Sequence, residues 1–300
     1  SEITRQVVKY SPKKVILLDQ AESSLYDLNQ ELLSENLDNN WEVVIGDITR
    51  KERMSNLFEF FKPEIIFHAA AYKHVPLMEL NPAESIRTNV QGTKILSDLA
   101  VDFKILKFIF ISTDKAVNPT NVMGASKRIA EMYCQSLDAV CETKFITTRF
   151  GNVLGSNGSV IPLFKKQLEN GGPLTVTHKN VTRFFMTIPE ACQLVIEAST
   201  MGKGGEIYVF DMGKSIKIID LAKKMIQLTG LEVDKDIKIK ITGLRPGEKM
   251  YEELLSNEEN TISTHHPKIM IGKVSSNDYQ TLKELVTKLI TFVKDQQNEE

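Results

Sequence analysis

Short apolar runs recur along the first half of the chain, and they alternate with segments whose apolar residues are spaced by three and four. Runs that are apolar almost throughout predict strands buried on both faces, and the spacing between them predicts amphipathic helices. Strands alternating with helices favour an α/β fold, here a doubly wound, Rossmann-like parallel sheet. The predicted strands are Val15–Asp19, Val43–Gly46, Ile65–Ala71, Phe108–Thr113 and Phe145–Phe150.

The pattern changes after Phe150, where glycines separate shorter elements. The sequence predicts three later helices, Ile188–Met201, Ile218–Leu228 and Tyr279–Val293, and an earlier helix start at Asn81-Pro82. We therefore expect one large domain over residues 1–150. Residues 151–300 are expected to form a smaller α/β part, with some segments returning to the core of the first domain.

Composition and charge narrow the classes of function. Hydrophobic residues make up 42% of the 300 residues, and 37 basic against 39 acidic residues leave a formal charge of −2. This balance argues against a general nucleic-acid or membrane-surface binder, which needs a dense basic face. No apolar run approaches the roughly 20 residues that span a bilayer. Three cysteines without metal-ligand spacing favour reduced thiols in a cytoplasmic protein without a metal site.

Acidic and small residues follow the first three predicted strands. In dinucleotide-binding folds, an acid in the position of Asp19 holds the adenosine ribose, and its charge favours NAD over NADP; alternatively, Asp19 only caps the next helix. Asp47, followed by Ile48, is expected to reach the adenine edge. Ala69 and Ala71 are small enough to let a pyrophosphate or ribose approach the backbone, although close helix packing explains them equally well.

The glycine loop that normally cradles the dinucleotide phosphates has no counterpart in the sequence. No G-x-G-x-x-G precedes a helix anywhere in the 300 residues. Counting back from Asp19 puts that loop just before residue 1. We therefore expect the first strand and its loop to lie upstream of this sequence.

Four sequence motifs, spread from residue 68 to residue 249, give the chain a strong resemblance to a known family. It resembles the extended short-chain dehydrogenase/reductases, and among them the bacterial UDP-N-acetylglucosamine 4,6-dehydratases of surface polysaccharide synthesis. The motifs are His68-Ala69-Ala70-Ala71-Tyr72-Lys73-His74-Val75-Pro76, Ser112–Pro119 with Met123–Arg128, Arg149–Ser156, and Arg245-Pro246-Gly247-Glu248-Lys249. The usual Tyr-x-x-x-Lys signature has Met123 in place of tyrosine, a substitution typical of the membrane-linked polysaccharide branch.

The resemblance implies roles for the residues after the fourth strand. Asp114 would be the acid at the sugar C6 oxygen, Lys115 the base at C5, and Thr113 a hydrogen-bond partner of the C4 oxygen. Lys127, one helical turn from Met123, would bind the nicotinamide ribose. The acceptor of the C4 hydroxyl proton stays open between a water molecule and Asp114. Taken alone, Asp114-Lys115 is more typical of an exposed loop pair.

The remaining candidates concern binding of cofactor and substrate. Lys73 and Asn89 join the cofactor candidates, and His74 is placed beside the sugar. Arginine suits a nucleotide-sugar pyrophosphate because its planar fork grips phosphate with two bonds; the alternative for the arginines is a salt bridge holding the smaller part. The substrate candidates are His74, Asn152, Arg183, Arg245 and Glu248, the last as acceptor for a ribose hydroxyl.

Three functions remain open from the sequence. The favoured one is a dehydratase that retains the C5 configuration. The second is a C5-inverting dehydratase or a 4-epimerase, although both normally use the tyrosine that Met123 replaces. The third is a dinucleotide-binding sensor without activity, which would have no need of Asp114, Lys115 and Lys127. The resemblance also implies a homo-oligomer, formed through helices that flank the predicted active-site helix at about Asn121–Leu137.

Overall fold

The computed structural model describes residues 2–35, 40–255, 260–274 and 277–296. Fourteen strands and eleven α-helices lie within these ranges. The strands are β1 Val15–Asp19, β2 Trp41–Ile45, β3 Ile65–His68, β4 Lys107–Ile111, β5 Lys144–Arg149, β6 Asn152–Val153, β7 Leu174–Val176, β8 Thr182–Arg183, β9 Phe185–Met186, β10 Ile207–Phe210, β11 Ile216–Lys217, β12 Ile239–Ile241, β13 Asn260–Ser263 and β14 Ile269–Lys273. The helices are α1 Glu2–Val8, α2 Glu22–Ser34, α3 Lys51–Phe61, α4 Val75–Leu80, α5 Pro82–Ser85, α6 Thr93–Asp102, α7 Val122–Asp138, α8 Val160–Glu169, α9 Ile188–Met201, α10 Ile218–Leu228 and α11 Tyr279–Gln296.

A six-stranded sheet forms the centre of the fold, in the order β13-β14-β10-β5-β4-β3. Strands β3, β4, β5 and β10 are parallel. At one edge β14 pairs antiparallel with β10, and β13 pairs antiparallel with β14. The prediction of a doubly wound α/β fold is confirmed. The sheet is divided, however, because β1 pairs only with β2 and the described residues contain no hydrogen-bonded ladder between this pair and β3.

Alternation along β4 shows how the sheet is covered on both faces. Successive side chains of a strand point to opposite faces. Phe108 and Phe110 enter a core built with α3, α6, α7 and α11, whereas Ile109 enters the core on the other face, beneath α9. All three side chains are completely buried, so the near-continuous apolar run of this strand is explained by packing from two sides.

Residues after Phe150 contribute both to the central sheet and to a separate, smaller apolar cluster. Strands β10, β13 and β14, with α9 and α11, complete the central sheet and its helical layers. A separate apolar cluster joins α8, β7 and α10 through buried residues such as Phe164, Leu174 and Ile226. This cluster forms the smaller part of the molecule, beyond the carboxyl end of β5.

Most predicted boundaries lie within one or two residues of the observed ones, and the differences are local. Strand β3 ends at His68 instead of Ala71, and β4 ends at Ile111 instead of Thr113. The helix predicted to start at Asn81-Pro82 does start at Pro82, continues through a π-helical segment at Ile86–Gly92 and then joins α6.

Candidate active site

The site is built where β4 ends and α7 begins. After Ile111 the chain enters a 3₁₀ turn at Asp114–Ala116, for which Thr113 is the N-cap. Helix α7 packs directly on this turn, and Gly124 makes the approach possible. A β-carbon at Gly124 would lie 2.2 Å from the carbonyl oxygen of Lys115, which no real side chain allows. The glycine in Met123-Gly124-Ala125 therefore fixes the distance between the turn and the helix.

Asp114 and Lys115 form a buried acid–base pair. The Nζ atom of Lys115 donates to Oδ1 of Asp114 at 2.9 Å, and the hydroxyl of Thr113 donates to the same oxygen at 2.9 Å. The Asp114 side chain is 0% exposed and that of Lys115 is 18% exposed. Among the described residues, Oδ2 of Asp114 has no hydrogen-bond partner. The pair is thus not an exposed loop pair, which was the alternative for an isolated Asp-Lys.

Two further side chains complete the surroundings of Lys115. Its Nζ atom donates to Oδ1 of Asn152 at 3.1 Å and lies 4.0 Å from Oε1 of Glu252. Burial raises the pKa of Glu252, and the charge of Asp114 raises it further. The sequence analysis missed Glu252. The one sequence feature that could have identified Glu252 is its position three residues after the Arg245–Lys249 motif. The conformation of this segment depends on tertiary contacts, which the sequence pattern does not reveal.

Lys127 lies beneath the same turn, on the face of α7 that it shares with Met123. Its Nζ atom donates to the carbonyl oxygen of Ile111 at 2.6 Å and lies 4.0 Å from the centroid of the Phe110 ring. Burial lowers the pKa of Lys127 to about 8. Met123 is 2% exposed, and its thioether cannot exchange a proton.

Lys73 and His74 follow β3 and line the same region. Burial lowers the pKa of Lys73, and the positive charge of Lys115 lowers it further. Burial and Lys73 together lower the pKa of His74. A β-carbon at Gly158 would lie 2.4 Å from Cε1 of His74, so the loop after β6 packs closely on the imidazole.

Two of the predicted cofactor residues lie at the carboxyl ends of parallel strands. Asp19 ends β1, and its Oδ1 accepts from the backbone N–H of Ala21 at 2.9 Å; Asp47 follows β2, and its Oδ1 accepts from that of Thr49 at 2.8 Å. Asp19 is exposed, so its carboxylate remains accessible to a ribose hydroxyl while it also turns the chain.

The small and apolar cofactor candidates divide into accessible and buried residues. Ala69 is exposed and Ala71 is half-buried directly after β3, as an approach to the backbone requires. Ile48 is buried instead and packs against Gly92, where a β-carbon would lie 2.5 Å from its Cδ1 atom. Ile48 therefore shapes the floor of this region through packing.

Asn89, also predicted to bind cofactor, is committed to the protein. Its Oδ1 accepts from the N–H of Tyr72 at 2.8 Å, and its Nδ2 donates to the carbonyl of Tyr72 at 3.0 Å and to the hydroxyl of Ser126 at 2.9 Å. The side chain is 1% exposed. Asn89 thus holds the loop before Lys73 against α7 through these hydrogen bonds, and its role in cofactor binding stays a prediction.

The predicted substrate arginine at 183 is likewise engaged internally. Its guanidinium donates to the carbonyls of Thr182 at 2.7 Å and Lys249 at 2.9 Å, and to Oε1 of Glu248 at 3.3 Å. Nη1 also reaches the carbonyl of Met250 at 3.3 Å, and only 9% of the residue is exposed. These contacts are those that the salt-bridge alternative expects, since Arg183 fixes residues 248–250 to β8; its role as a phosphate ligand stays a prediction.

Both carboxylate oxygens of Glu248 already accept hydrogen bonds within the protein, and its role toward a ribose hydroxyl stays a prediction. Its Oε1 also accepts from the hydroxyl of Thr177 at 3.0 Å, and its Oε2 accepts from both N and Nε of Arg245 at 3.2 Å. Arg245 remains exposed and therefore stays the candidate phosphate ligand of this loop. The loop is anchored to the active-site helix, since Nδ2 of Asn121 donates to the carbonyl of Gly247 at 3.1 Å.

The arrangement can move protons between adjacent carbons of a substrate. The carboxylate of Asp114 contacts the amine of Lys115 and accepts a hydrogen bond from the hydroxyl of Thr113. Lys127 is buried next to the same turn. Carboxylates lie at the carboxyl ends of β1 and β2, at the edge of the sheet where doubly wound folds bind dinucleotides. Within the described residues, no group of three or more potential ligands could hold a metal ion, and none of the helices has the length and apolar character needed to cross a bilayer.

Comparison with known proteins shows which family the chain belongs to. The capsular polysaccharide biosynthesis protein CapD of Staphylococcus aureus is 54% identical over 277 residues, covering 91% of this chain and 46% of CapD. The chain thus spans about half the length of that relative. The inverting UDP-N-acetylglucosamine 4,6-dehydratase of Campylobacter jejuni is 33% identical over 258 residues, covering 85% of this chain and 73% of that enzyme.

A solved structure supports the fold. A double mutant of DesIV, the dTDP-glucose 4,6-dehydratase of Streptomyces venezuelae, was solved with NAD bound; it superposes with a TM-score of 0.71 at 22% identity and covers 83% of each chain. The family model described as polysaccharide biosynthesis protein matches residues 1–274. This chain therefore belongs to the polysaccharide biosynthesis protein family.

Proposed function

We propose that the protein is an NAD-dependent nucleotide-sugar 4,6-dehydratase that acts on UDP-N-acetylglucosamine. The observation that carries the proposal is the buried contact between Asp114 and Lys115, with Thr113 hydrogen-bonded to the carboxylate. Removing water across C5 and C6 of a hexose needs an acid and a base side by side, and a 4-epimerase needs no such pair. The likeness to the Campylobacter dehydratase supports the substrate class.

Oxidation at C4 comes first, because a C4 ketone makes the C5 proton acidic. Bound NAD would supply the hydride acceptor for C4 and return the hydride to C6. Asp19, Asp47 and Lys127 are the residues proposed to hold it, with Lys127 on the nicotinamide ribose. Asp19 favours NAD over NADP because its carboxylate would repel a 2′-phosphate.

Thr113 and Asp114 offer a path for the proton of the C4 hydroxyl. A hydroxyl can accept one proton while it donates another. Thr113 therefore takes the C4 hydroxyl proton and passes its own to Oδ1 of Asp114, to which it already donates at 2.9 Å. This path dispenses with the tyrosine that Met123 replaces, and it leaves Asp114 protonated.

Elimination then uses both members of the pair. Lys115, as a free amine, removes the proton from C5, and the protonated Asp114 gives its proton to the C6 hydroxyl, which leaves as water. Lys115 returns a proton to C5 while the hydride arrives at C6. Asp114 ends the cycle ionised, so the C4 hydroxyl proton departs with the water.

The C5-inverting dehydratase is the second candidate, because the Campylobacter relative carries that description. The two dehydratases differ in the face of C5 that receives the proton. Return by Lys115 to the face from which it took the proton gives retention. Met123 favours retention, since it offers no second proton donor on the helix.

The test is incubation of the natural full-length protein with NAD and UDP-N-acetylglucosamine, followed by NMR of the sugar. We expect a 4-keto-6-deoxy product with unchanged C5 configuration. An inverted C5 would select the second candidate. A C4 epimer that keeps its C6 hydroxyl, or unchanged substrate, would overturn the proposal.

A further inference from the structure

Glu252 is a buried carboxyl group for which the proposed proton path has no use. Its side chain is 4% exposed, and Oε1 lies 4.0 Å from Nζ of Lys115 and 3.9 Å from Nε of Arg183. Among the described residues, Oε2 has no hydrogen-bond partner. A buried carboxylate oxygen without a donor is costly, so its presence beside the proposed base calls for a reason.

The proposed reaction contains one proton that Asp114 cannot hold. Lys115 in contact with the carboxylate of Asp114 starts as an ammonium ion, yet it must be a free amine to attack C5. Asp114 takes the proton of the C4 hydroxyl through Thr113. A carboxylate carries one proton, so the proton that leaves Lys115 needs a second acceptor.

We infer that Glu252 is a positioning residue that stores this proton and thereby sets the protonation of Lys115; the inference rests on the proposed dehydratase function. An N–H bond of Lys115 breaks and an O–H bond forms at Oε1 of Glu252, so the pair is neutral overall before and after. After C5 has been reprotonated, Glu252 returns the proton to Lys115. Glu252 acts only through Lys115 and does not contact the reacting atoms of the substrate.

The geometry provides for this exchange. Two N–H groups of Lys115 donate to Asp114 and Asn152, which leaves the third for an acceptor on the Glu252 side. The separation of 4.0 Å exceeds a hydrogen bond, and a small torsion of the flexible lysine side chain closes it. Such contacts commonly tighten when substrate binds.

The environment of Glu252 favours its protonated form more than water does. Asp114, Lys115, Arg183 and Lys249 face it. Burial and the charge of Asp114 raise the pKa of Glu252, while the three cations lower it, and the outcome lies above the usual range. When Lys115 becomes neutral, one of the cations that hold Glu252 ionised disappears, so the two proton affinities change in the direction that the transfer needs.

The test compares Glu252→Gln with wild type in two assays on the natural full-length protein. The first follows reduced nicotinamide by its near-ultraviolet absorbance, which reports oxidation at C4. The second follows the dehydrated product by NMR between pH 6 and pH 9. Glu253→Gln is the matched control, because Glu253 is the adjacent carboxyl and accepts from Asn118 at the surface. Glu252→Asp tests rescue by a shorter carboxyl.

In Glu252→Gln the proton of Lys115 must leave to solvent. We expect reduced nicotinamide to form at the wild-type rate, and product to form about 10- to 100-fold more slowly at pH 7 with an unchanged KM. The product rate should rise about tenfold per pH unit in the variant and stay nearly flat in wild type. Glu252→Asp should recover part of the rate, and Glu253→Gln should match wild type.

Other outcomes separate this inference from the proposed function. Wild-type rates in both assays for Glu252→Gln would overturn the proton store and leave the dehydratase intact. Loss of both oxidation and product in a folded Glu252→Gln protein, without recovery in Glu252→Asp, would show a structural role and also overturn it. A wild-type protein that forms no product would remove the proposed function, and the proton store with it.

Discussion

A β-carbon placed on Gly124 would lie 2.2 Å from the carbonyl oxygen of Lys115 and 3.2 Å from Oδ1 of Asn121. The backbone of helix α7 thus rests on the turn that carries the proposed acid and base. The position of that turn depends on the absence of a side chain nine residues along the chain, and this dependence can be measured.

Replacing Gly124 with alanine should move the 3₁₀ turn away from α7. We expect the free energy of unfolding to fall by about 1–3 kcal/mol, as in other overpacked sites, with a larger loss in turnover than in stability. Urea unfolding and the product assay measure the two effects. Ala125→Gly is the control: it lowers stability by about 0.5–1 kcal/mol through helix propensity and leaves turnover intact. Equal turnover in both variants would mean that the close approach does not position the site.

Replacing Lys115 with alanine should remove the proposed base and leave the binding of NAD intact. We expect product formation to fall at least about 100-fold, because a positioned general base contributes about 10²–10⁴-fold. NMR of the product and calorimetric titration with NAD provide the two measurements. Lys224→Ala, on the exposed side of α10, is the control for loss of a charge. Surviving turnover would show that another group takes the C5 proton.

Buried Lys127 should give the protein a pH-dependent stability. Burial lowers its pKa to about 8 in the folded state from 10.5 in the unfolded state. Between these values the unfolded chain binds more protons, so the free energy of unfolding should rise with pH across this window, by an amount on the order of 3 kcal/mol. Urea titrations at several pH values, compared with Lys127→Met, measure the effect. Parallel curves for the two proteins would show that Lys127 is protonated in the fold.

The stability of the protein should depend on keeping both members of the buried ion pair between Arg149 and Glu131, or on replacing both together. Nε and Nη2 of Arg149 donate to the two carboxylate oxygens at 2.8 and 2.7 Å, and both side chains are 0% exposed. Glu131→Gln should lower the free energy of unfolding by about 3–5 kcal/mol, because a buried charge loses its partner. The double variant Arg149→Met/Glu131→Leu should recover much of this loss. A double variant less stable than the single one would contradict the argument.

Structural features that depend on the local pattern of apolar and polar residues were predicted correctly from the sequence. Strand β4 reads as a buried run because both faces are covered. Helices α9 and α10 were predicted to the residue because their apolar spacing is regular, and α9 also begins with a capping threonine, whose side chain accepts from the N–H of Glu190. The contact of Asp114 with Lys115 follows from their adjacency at a strand end. The roles proposed for Asp114 and Lys115 came from the resemblance of the surrounding motif to that of known dehydratases.

What the sequence could not supply depends on contacts between distant segments. Arg183 has the residue type of a phosphate ligand, but residues 248–250 fold back and take up its donors. Asn89 is occupied by Tyr72 and Ser126 for the same reason. Glu252 lies 137 positions beyond Lys115 in the sequence, and only the fold brings the two within 4.0 Å. Periodicity carries no information on such pairs.

Lys115 is proposed to take a proton from C5 while Asp114 expels the C6 hydroxyl as water. The reaction of UDP-N-acetylglucosamine in deuterated water, with the product followed by NMR, tests both steps at once. We expect a 4-keto-6-deoxy sugar with deuterium at C5 in wild type, and neither the product nor the label in Lys115→Ala. A sugar that keeps its C6 hydroxyl, or a product that carries no deuterium at C5, would contradict the proposal.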